Sequence, residues 1–592
     1  MIASVIVIGV VLGLAYAFMM RGFFNAFMNM ICAVTAGAIA FGLWETTAHA
    51  LMAAMPRSFI FDGAYGLGLA LPFGVSFAIL RAITDKLIGA NVKCGLIGDH
   101  LGGAVCGAVA GVISAGIFFL SLGFLRMDPD LGLGYQRIDY ATQGNLKRNP
   151  GLWLPADQIV ARLYGHMSET ALRTSTPLSR MYPNLDEVPA ALRITGSARI
   201  RNVMDPADIK LLKRYTLDAG AGAKLDAILE DSWNPKSQIV QDLNGENFPA
   251  GSKLEGFVVN FGSNAKEAFG QTVVGAPQVR LVVEDDSGSR QAMHPVAVIC
   301  QGQASDVAFG RFRFDQRDIF VGSVGGASEV RMGFDFVVPP GYNPILLYVK
   351  NARIDLEAED SPKPEKFTSA AARDAAVRSG SIIGVKAAGN LDTGEATKVS
   401  TRAQGGSDAA DGLDVSNTIG LVIQRGTQGG LEISPDGPYV RDGENIFDKK
   451  QFSGGGAMER NLRVDRFEVS SDTAIVKVDV SAGKATSLLG RAAQSAESVV
   501  PPVLVDDKNQ QFEAIGYIYQ DKDKVVIRYT PGRPIRGLAE LDQQKVGLSR
   551  SRSDQTLTLV FRVSTGVKIR AFAFGSKVVT EFNPPVTVEG QR

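Results

Sequence analysis

Asp99-His-Leu-Gly-Gly103-Ala-Val-Cys-Gly107-Ala-Val-Ala-Gly111 opens the last apolar stretch before the sequence turns polar. Residues four apart stack on one face of a helix, so Asp99, Gly103, Gly107 and Gly111 form a carboxylate followed by a stripe without side chains. In hydrocarbon such a stripe lets a second helix approach to backbone contact. The stretch runs on to residue 125, and three more precede it, at about 2–20, 23–43 and 61–80. Each approaches the ~20 apolar residues needed to cross a bilayer core. Gly9, Gly13 and Ala17 repeat the spacing in the first span, Ala33 and Gly37 in the second, and Gly66, Ala70 and Gly74 in the third. The pattern predicts a compact four-helix bundle with these small residues at its contacts.

Lys and Arg together number 61, as do Asp and Glu, so the net charge is zero and the electrostatic footprint of nucleic-acid binding is missing. The balance hides a split: residues 1–125 carry nine charged side chains, and the chain beyond Met127 reads as ordinary polar protein. At 592 residues the chain is too long for one core, so several domains are expected after a membrane anchor. The first apolar stretch lacks a basic start and a second follows at once, so it is expected to remain as a span rather than be cleaved. Arg21 in the first loop and Arg81, Lys86 and Lys93 in the third outweigh Arg57 in the second and Arg126 and Arg137 after the fourth span. The positive-inside rule then places loops one and three in the cytoplasm and everything after Met127 outside. Cys32, Cys94 and Cys106 belong to the apolar quarter, which leaves Cys300 without a disulfide partner in the polar part. His49, His100, His166 and His294 lie too far apart in sequence to suggest a metal site, and no cofactor is expected.

Arg21-Gly22-Phe23 directly after a short first span, then Asp99, Gly103, Gly107 and Gly111 at the head of the last, resembles the colicin V production protein (CvpA) family. Its members are small bacterial inner-membrane proteins with four predicted spans. The resemblance covers about residues 1–125, roughly a fifth of the chain. The chain departs from the family pattern at His100 and Ala110, where members often carry basic residues. The resemblance implies a place in the bacterial inner membrane and a part in colicin V production or export and in envelope maintenance, with no catalytic mechanism. Arg21, Gly22, Asp99, Gly103, Gly107 and Gly111 carry it, and Gly9 and Gly13 are added as helix-packing positions. Arg21 and Asp99 fall at span ends on the cytoplasmic side. They can pair, or Arg21 can snorkel to lipid phosphate while Asp99 caps the fourth helix.

Beyond the spans, Pro155 fits the start of a helix carrying Ile159, Val160, Leu163 and Met167. Asp205-Pro206 announces another, with Ile209, Leu212 and Tyr215 at helical spacing. Residues 127–250 therefore read as a helical connector that lifts the later domains off the bilayer. From Ser252 onward short alternating runs rich in Val, Phe and Tyr read as strands, and they contain a repeat. Leu281-Val-Val-Glu-Asp-Asp286, a turn and Met293-His-Pro-Val-Ala-Val-Ile-Cys-Gln301 are answered by Val503-Leu-Val-Asp-Asp507, a turn and Ala514-Ile-Gly-Tyr-Ile-Tyr-Gln520. Phe336-Val-Val-Pro-Pro-Gly341 is answered by Phe561-Arg-Val-Ser-Thr-Gly566 at nearly the same separation. The expected architecture is multi-domain. A four-helix transmembrane bundle over 1–126 and the connector over 127–250 precede two related all-β sandwiches over 251–357 and 461–592. A Gly-, Ala- and Ser-rich linker with a few strands lies between them over 358–460. The sandwiches loosely resemble immunoglobulin-like domains of bacterial surface proteins.

Asp286-Ser287-Gly288 echoes the nucleophile motif of chymotrypsin-like proteases, and CvpA-like modules occur fused to periplasmic serine proteases. Asp285 stands where those enzymes have Gly, and Lys508-Asn509 fills the same turn in the second repeat, so a hairpin loop is the simpler reading. Glu284, Asp285, Asp286, Asp506 and Asp507 lack the ligand spacing of an EF-hand loop, and no metal site is expected. The sequence thus points to a non-enzymatic envelope scaffold or accessory factor for export of a colicin V-like toxin. Its expected partners are the lipid bilayer and an envelope or secreted protein bound through the β domains, with homo-oligomerisation left open and no nucleic acid. The competing expectation is a transporter or channel component gated along Arg21, Asp99 and the glycine faces. A membrane-anchored extracytoplasmic hydrolase using Ser287 is the third.

Overall fold

The computed structural model describes residues 2–55, 59–88, 92, 95–125, 136–140, 145–193, 201–218, 241–262, 265–267, 272–301, 309–315, 319–322, 329–383, 391–394, 396–401, 412–419, 423–424, 429–434, 439–448, 461–462, 466–469, 473–487, 500–531, 533–541, 546 and 554–590. Arg57, Lys93, Cys94 and Arg126 lie outside these residues, as do much of 386–414 and of 426–456.

The apolar quarter folds into α1 (Ile2–Arg21), α2 (Phe23–Ala54), the one-turn α3 (Phe59–Asp62), α4 (Ala64–Leu87) and α5 (Leu96–Gly123). Four of these, α1, α2, α4 and α5, are long and apolar enough to cross a membrane. α1 runs antiparallel along α5, with Phe18 beside Gly103 and Val11 beside Gly111. α4 runs antiparallel along α2: Trp44 Nε1 donates to Tyr65 O (2.9 Å) near one end, and Arg81 Nη2 donates to Asn25 Oδ1 (3.0 Å) near the other. α2 is longer than the expected span. Its 32 residues rise about 48 Å, roughly 18 Å more than a bilayer core of about 30 Å.

α6 (Ala156–Glu169), α7 (Leu178–Met181) and α8 (Val188–Arg193) follow, and they do not hold the sheets away from the helices. Tyr164 of α6 covers Gly37 of α2 and donates its hydroxyl to Val34 O (3.0 Å). Ala156 and Val160 cover Gly116 of α5, and Pro189 of α8 lies against Gly123, 2.6 Å from where a Cβ would stand. The connector is a clamp rather than a spacer, because α6 carries small and aromatic residues on the face that meets the glycines.

Asp205-Pro206 starts a single 3-10 turn, capped by Asp205 Oδ1 accepting from Ala207 N–H (3.0 Å), and not an α-helix. Ile209–Leu217 is a nine-residue strand paired with Lys253–Phe261. A bulge between Leu211 and Lys213 shifts its alternation by one residue, so Ile209 packs into one core and Leu212 and Tyr215 into another, and their three-residue spacing marks no helical face.

The polar part is built of β-sheets arranged in two sandwich-like pairs. In the first pair, a six-stranded sheet runs Pro364–Phe367, Ile209–Leu217, Lys253–Phe261, Val330–Val338, Ala297–Gln301, Phe309–Arg313. It shares a core with a four-stranded sheet, Ala352–Asp355, Tyr342–Val349, Val279–Asp285, Arg290–Met293. In the second pair, Thr473–Asp479, Thr556–Ser564, Gly516–Gln520 and Lys524–Tyr529 repeat the last four strands of the six-stranded order. Lys577–Thr587, Lys568–Phe574, Pro502–Asp506 and Gln511–Glu513 repeat the four-stranded order. Strands from the 358–460 region divide between the two: Pro364–Phe367 joins the first pair, whereas Thr397–Ser400, Leu413–Val415 and Tyr439–Asp448 join the second.

The repeat extends to the turns. Asp285 Oδ1 accepts from Ser287 and Ser289 N–H (2.9 and 2.8 Å), and Asp506 Oδ1 accepts from Lys508 and Gln510 N–H (2.9 and 2.7 Å). Gly288 and Asn509 occupy the same left-handed position, at φ 81° and 63°, a conformation open to Gly and tolerated by Asn. The Ser287 hydroxyl donates to Asp285 Oδ1 (2.7 Å), so the Asp-Ser-Gly motif is spent on closing a hairpin.

Candidate functional site

The stripe on α5 meets the backbone of α1. A Cβ at Gly103 would lie 2.6 Å from Phe18 O, at Gly107 2.7 Å from Leu14 O, and at Gly111 3.0 Å from Val11 Cα. These separations leave no room for a methyl group, so the three glycines set the distance between the two helices. Gly9 and Gly13 do not share this role. α1 turns Ala3, Val7, Val11 and Phe18 inward, which places both glycines on its outward face with nothing within 4 Å. Their spacing matches that on α5, but a stripe packs only if the phase of its own helix points it at a neighbour. Gly66 does pack, against Ser121 O of α5, whereas Gly74 meets nothing.

At the end where α1 meets α2, Gly22 adopts φ 89°, ψ 159°, and Gly95 before α5 adopts φ 83°, ψ 159°. Both lie in a region essentially closed to other residues, and both act as the last residue before a span. Asp99 Oδ1 accepts from Phe23 N–H (3.4 Å), so its carboxylate reaches the start of α2 rather than only its own helix. That places the negative group at a positive helix end. The Arg21 guanidinium sits over the Phe18 ring at 5.6 Å, and the Phe23 ring covers Gly102. Arg21, Gly22 and Asp99, distant in sequence, therefore form one rim. Arg81 and Asp85 pair beside it at 2.8 Å.

The opposite end holds a cluster that the sequence reading missed. Glu45 of α2 accepts both the Tyr182 hydroxyl and the Arg353 guanidinium, whose Nη1 lies 2.7 and 3.0 Å from its two oxygens. Tyr348 donates to Met181 O (2.7 Å), and the Arg280 guanidinium lies 4.7 Å from the Tyr348 ring centre. Burial pushes the Tyr182 phenol well above its ordinary value, and the neighbouring Tyr348 and Glu45 push the same way. Burial works against the Arg353 cation, but Glu45, Tyr182 and Tyr348 together more than offset it and push the guanidinium's pKa above its ordinary value. The signal was present: Glu45, just past the second apolar run, is the one charged side chain of α2, and such a residue calls for a named partner. Its partner, 308 positions away, could not be named without the fold.

A second tie runs from α3, between α2 and α4. Arg201 lies 3.9 Å from Asp62 and over the Phe61 ring at 5.7 Å, and its amide donates to Glu267 Oε2 (2.9 Å). Glu267 Oε1 then meets Lys350 Nζ at 2.7 Å, with both side chains 1 % exposed. Two polar chains thus fasten the apolar helices to the first pair of sheets, on either side of the core that joins Trp44, Tyr65 and Phe124 to Val282, Leu346 and Tyr348. Comparison with protein-family models, with curated proteins and with solved structures finds no match to this chain.

Proposed function

We propose that this chain is a non-enzymatic scaffold of the bacterial inner membrane, of the CvpA type, that presents two immunoglobulin-like β-sandwiches on the extracytoplasmic side. Through them it engages an envelope or secreted protein partner and assists production or export of a colicin V-like toxin. The observation that carries this reading is the double fastening of the sheets to the helix block, through Glu45–Arg353 and through Asp62, Arg201, Glu267 and Lys350. A scaffold must hold its binding modules at a set place relative to the membrane, and ties of this kind between sheets and apolar helices support that reading. The competing transporter reading needs a path along the glycine faces, but Gly103, Gly107 and Gly111 are filled by the backbone of α1. Topology and transport separate the readings. An alkaline phosphatase fusion at about residue 250 is expected to be active in cells, and an inactive one would overturn the extracytoplasmic placement. Purified full-length protein in vesicles is expected to pass no more ion or solute than empty vesicles, and flux abolished by Asp99→Asn would establish the transporter instead.

A further inference from the structure

α6 stands at a particular height on the spans. From Phe23 to Gly37, which Tyr164 covers, α2 rises about 21 Å, and from Asp99 to Gly116, which Ala156 and Val160 cover, α5 rises about 26 Å. The bilayer core is about 30 Å thick, so the contacts of α6 with the bundle fall within about the last 4–9 Å of hydrocarbon, not above it. Its faces are sorted to match. Ala156, Val160, Tyr164 and Gly165 turn inward and are buried. Ile159 is 41 % exposed, four positions before the half-buried Leu163, and Trp153 just ahead of the helix is 64 % exposed. Arg162 and His166, also four apart, line a cleft of about 500 Å³ whose other wall includes Tyr182, Asn184 and Glu187. Arg162 makes no ion pair among the described residues.

We infer that α6 is an interfacial membrane helix. Trp153, Ile159 and Leu163 enter the edge of the acyl region of the leaflet nearer the sheets, and Arg162 takes a lipid phosphate at headgroup level. An amphipathic helix with an aromatic residue at one end and a cation on its polar edge has the distribution that such a helix requires. Were α6 in water instead, Trp153 and Ile159 would stand exposed beside a membrane with nothing to cover them. The inference rests on the four helices spanning and holds on whichever side the sheets lie, so it can fail while the scaffold reading stands, and the reverse.

The test is tryptophan emission from the full-length protein in phospholipid nanodiscs, comparing the native chain with Trp153→Phe so that the Trp153 component is taken by difference. Lipids brominated near the headgroup end of the chain are expected to quench that component about twofold, and lipids brominated near the terminal methyl less. Absence of quenching by either lipid, together with quenching by aqueous iodide, would overturn the inference, as would stronger quenching by the deep bromines. Arg162→Glu in anionic nanodiscs is expected to shift the Trp153 component to the red and to reduce shallow quenching. An unchanged component would overturn the phosphate contact. Far-UV circular dichroism of both variants should match the native chain, since both side chains are exposed.

Discussion

At the residue scale, glycines of identical spacing differ because of what faces them. Gly107→Ala places a methyl group 2.7 Å from Leu14 O, which α1 can relieve only by moving away along its length. Overpacking of this kind costs about 1–3 kcal/mol, so the variant should unfold earlier in detergent denaturation. Gly13→Ala, with nothing within 4 Å, should leave the same transition unmoved. The two aspartates of the repeated hairpin also diverge. Asp285 is open to solvent, and the Ser287 hydroxyl leads the hydrogen bonds that lower its pKa. Asp506 is buried, and burial pushes its carboxyl from 3.8 up to about 6 despite two backbone donors. The folded state therefore holds this proton more tightly than the unfolded chain does. Asp506 costs no stability below about pH 4, and a penalty grows as the pH rises to about 6. Asp506→Asn keeps an oxygen for both amides and should remove that penalty, raising stability at pH 7 by ~2–3 kcal/mol with little effect at pH 4. Thermal melts of the two proteins across that range would check the sign.

At the scale of elements, the strand Ile209–Leu217 and the helix α6 show two ways in which pattern misleads. In the strand, a bulge breaks the two-residue period that would have identified it, and Leu211 and Leu212 then pack into different cores. In α6 a helix was legible from Ile159, Val160, Leu163 and Met167, but Ile159 is left exposed and the face it buries is the one carrying Ala156, Val160 and Tyr164. Its receptor is a bare patch at Gly37, a position whose neighbour in the bundle sequence logic would be another span. Gly37→Leu should push Tyr164 out of its seat and free α6 from α2. Tryptic cleavage at Arg162 and Arg173 is then expected to speed up several-fold relative to the native chain, because a local opening raises cleavage in proportion to the open population. Equal cleavage rates would mean that α6 is held by α5 alone.

At the scale of the molecule, the helix block and the first pair of sheets share one core and two polar ties, so they should unfold together. Trp44 fluorescence, from the core that helices and sheets share, and the β-sheet circular dichroism signal should lose their native values at the same temperature. Arg353→Ala should separate the two transitions, and a double-mutant cycle with Glu45→Ala should return a coupling of about 1–2 kcal/mol for a partly exposed pair. Lys350→Met should cost more, about 3–5 kcal/mol, because it strands the Glu267 carboxylate in a site where both partners are 1 % exposed. Hydropathy, small-residue spacing and the repeated hairpins were written in the chain because each depends on residues within a turn or a strand of one another. They were enough for four apolar helices, for paired sheets of matching order and for a rim built on Arg21, Gly22 and Asp99. Folding alone settled that Gly9 and Gly13 look outward and that α6 packs across α2 and α5. It alone matched Glu45 with Arg353. Those outcomes depend on helix phase and on pairs 130 to 308 positions apart, which no local period encodes.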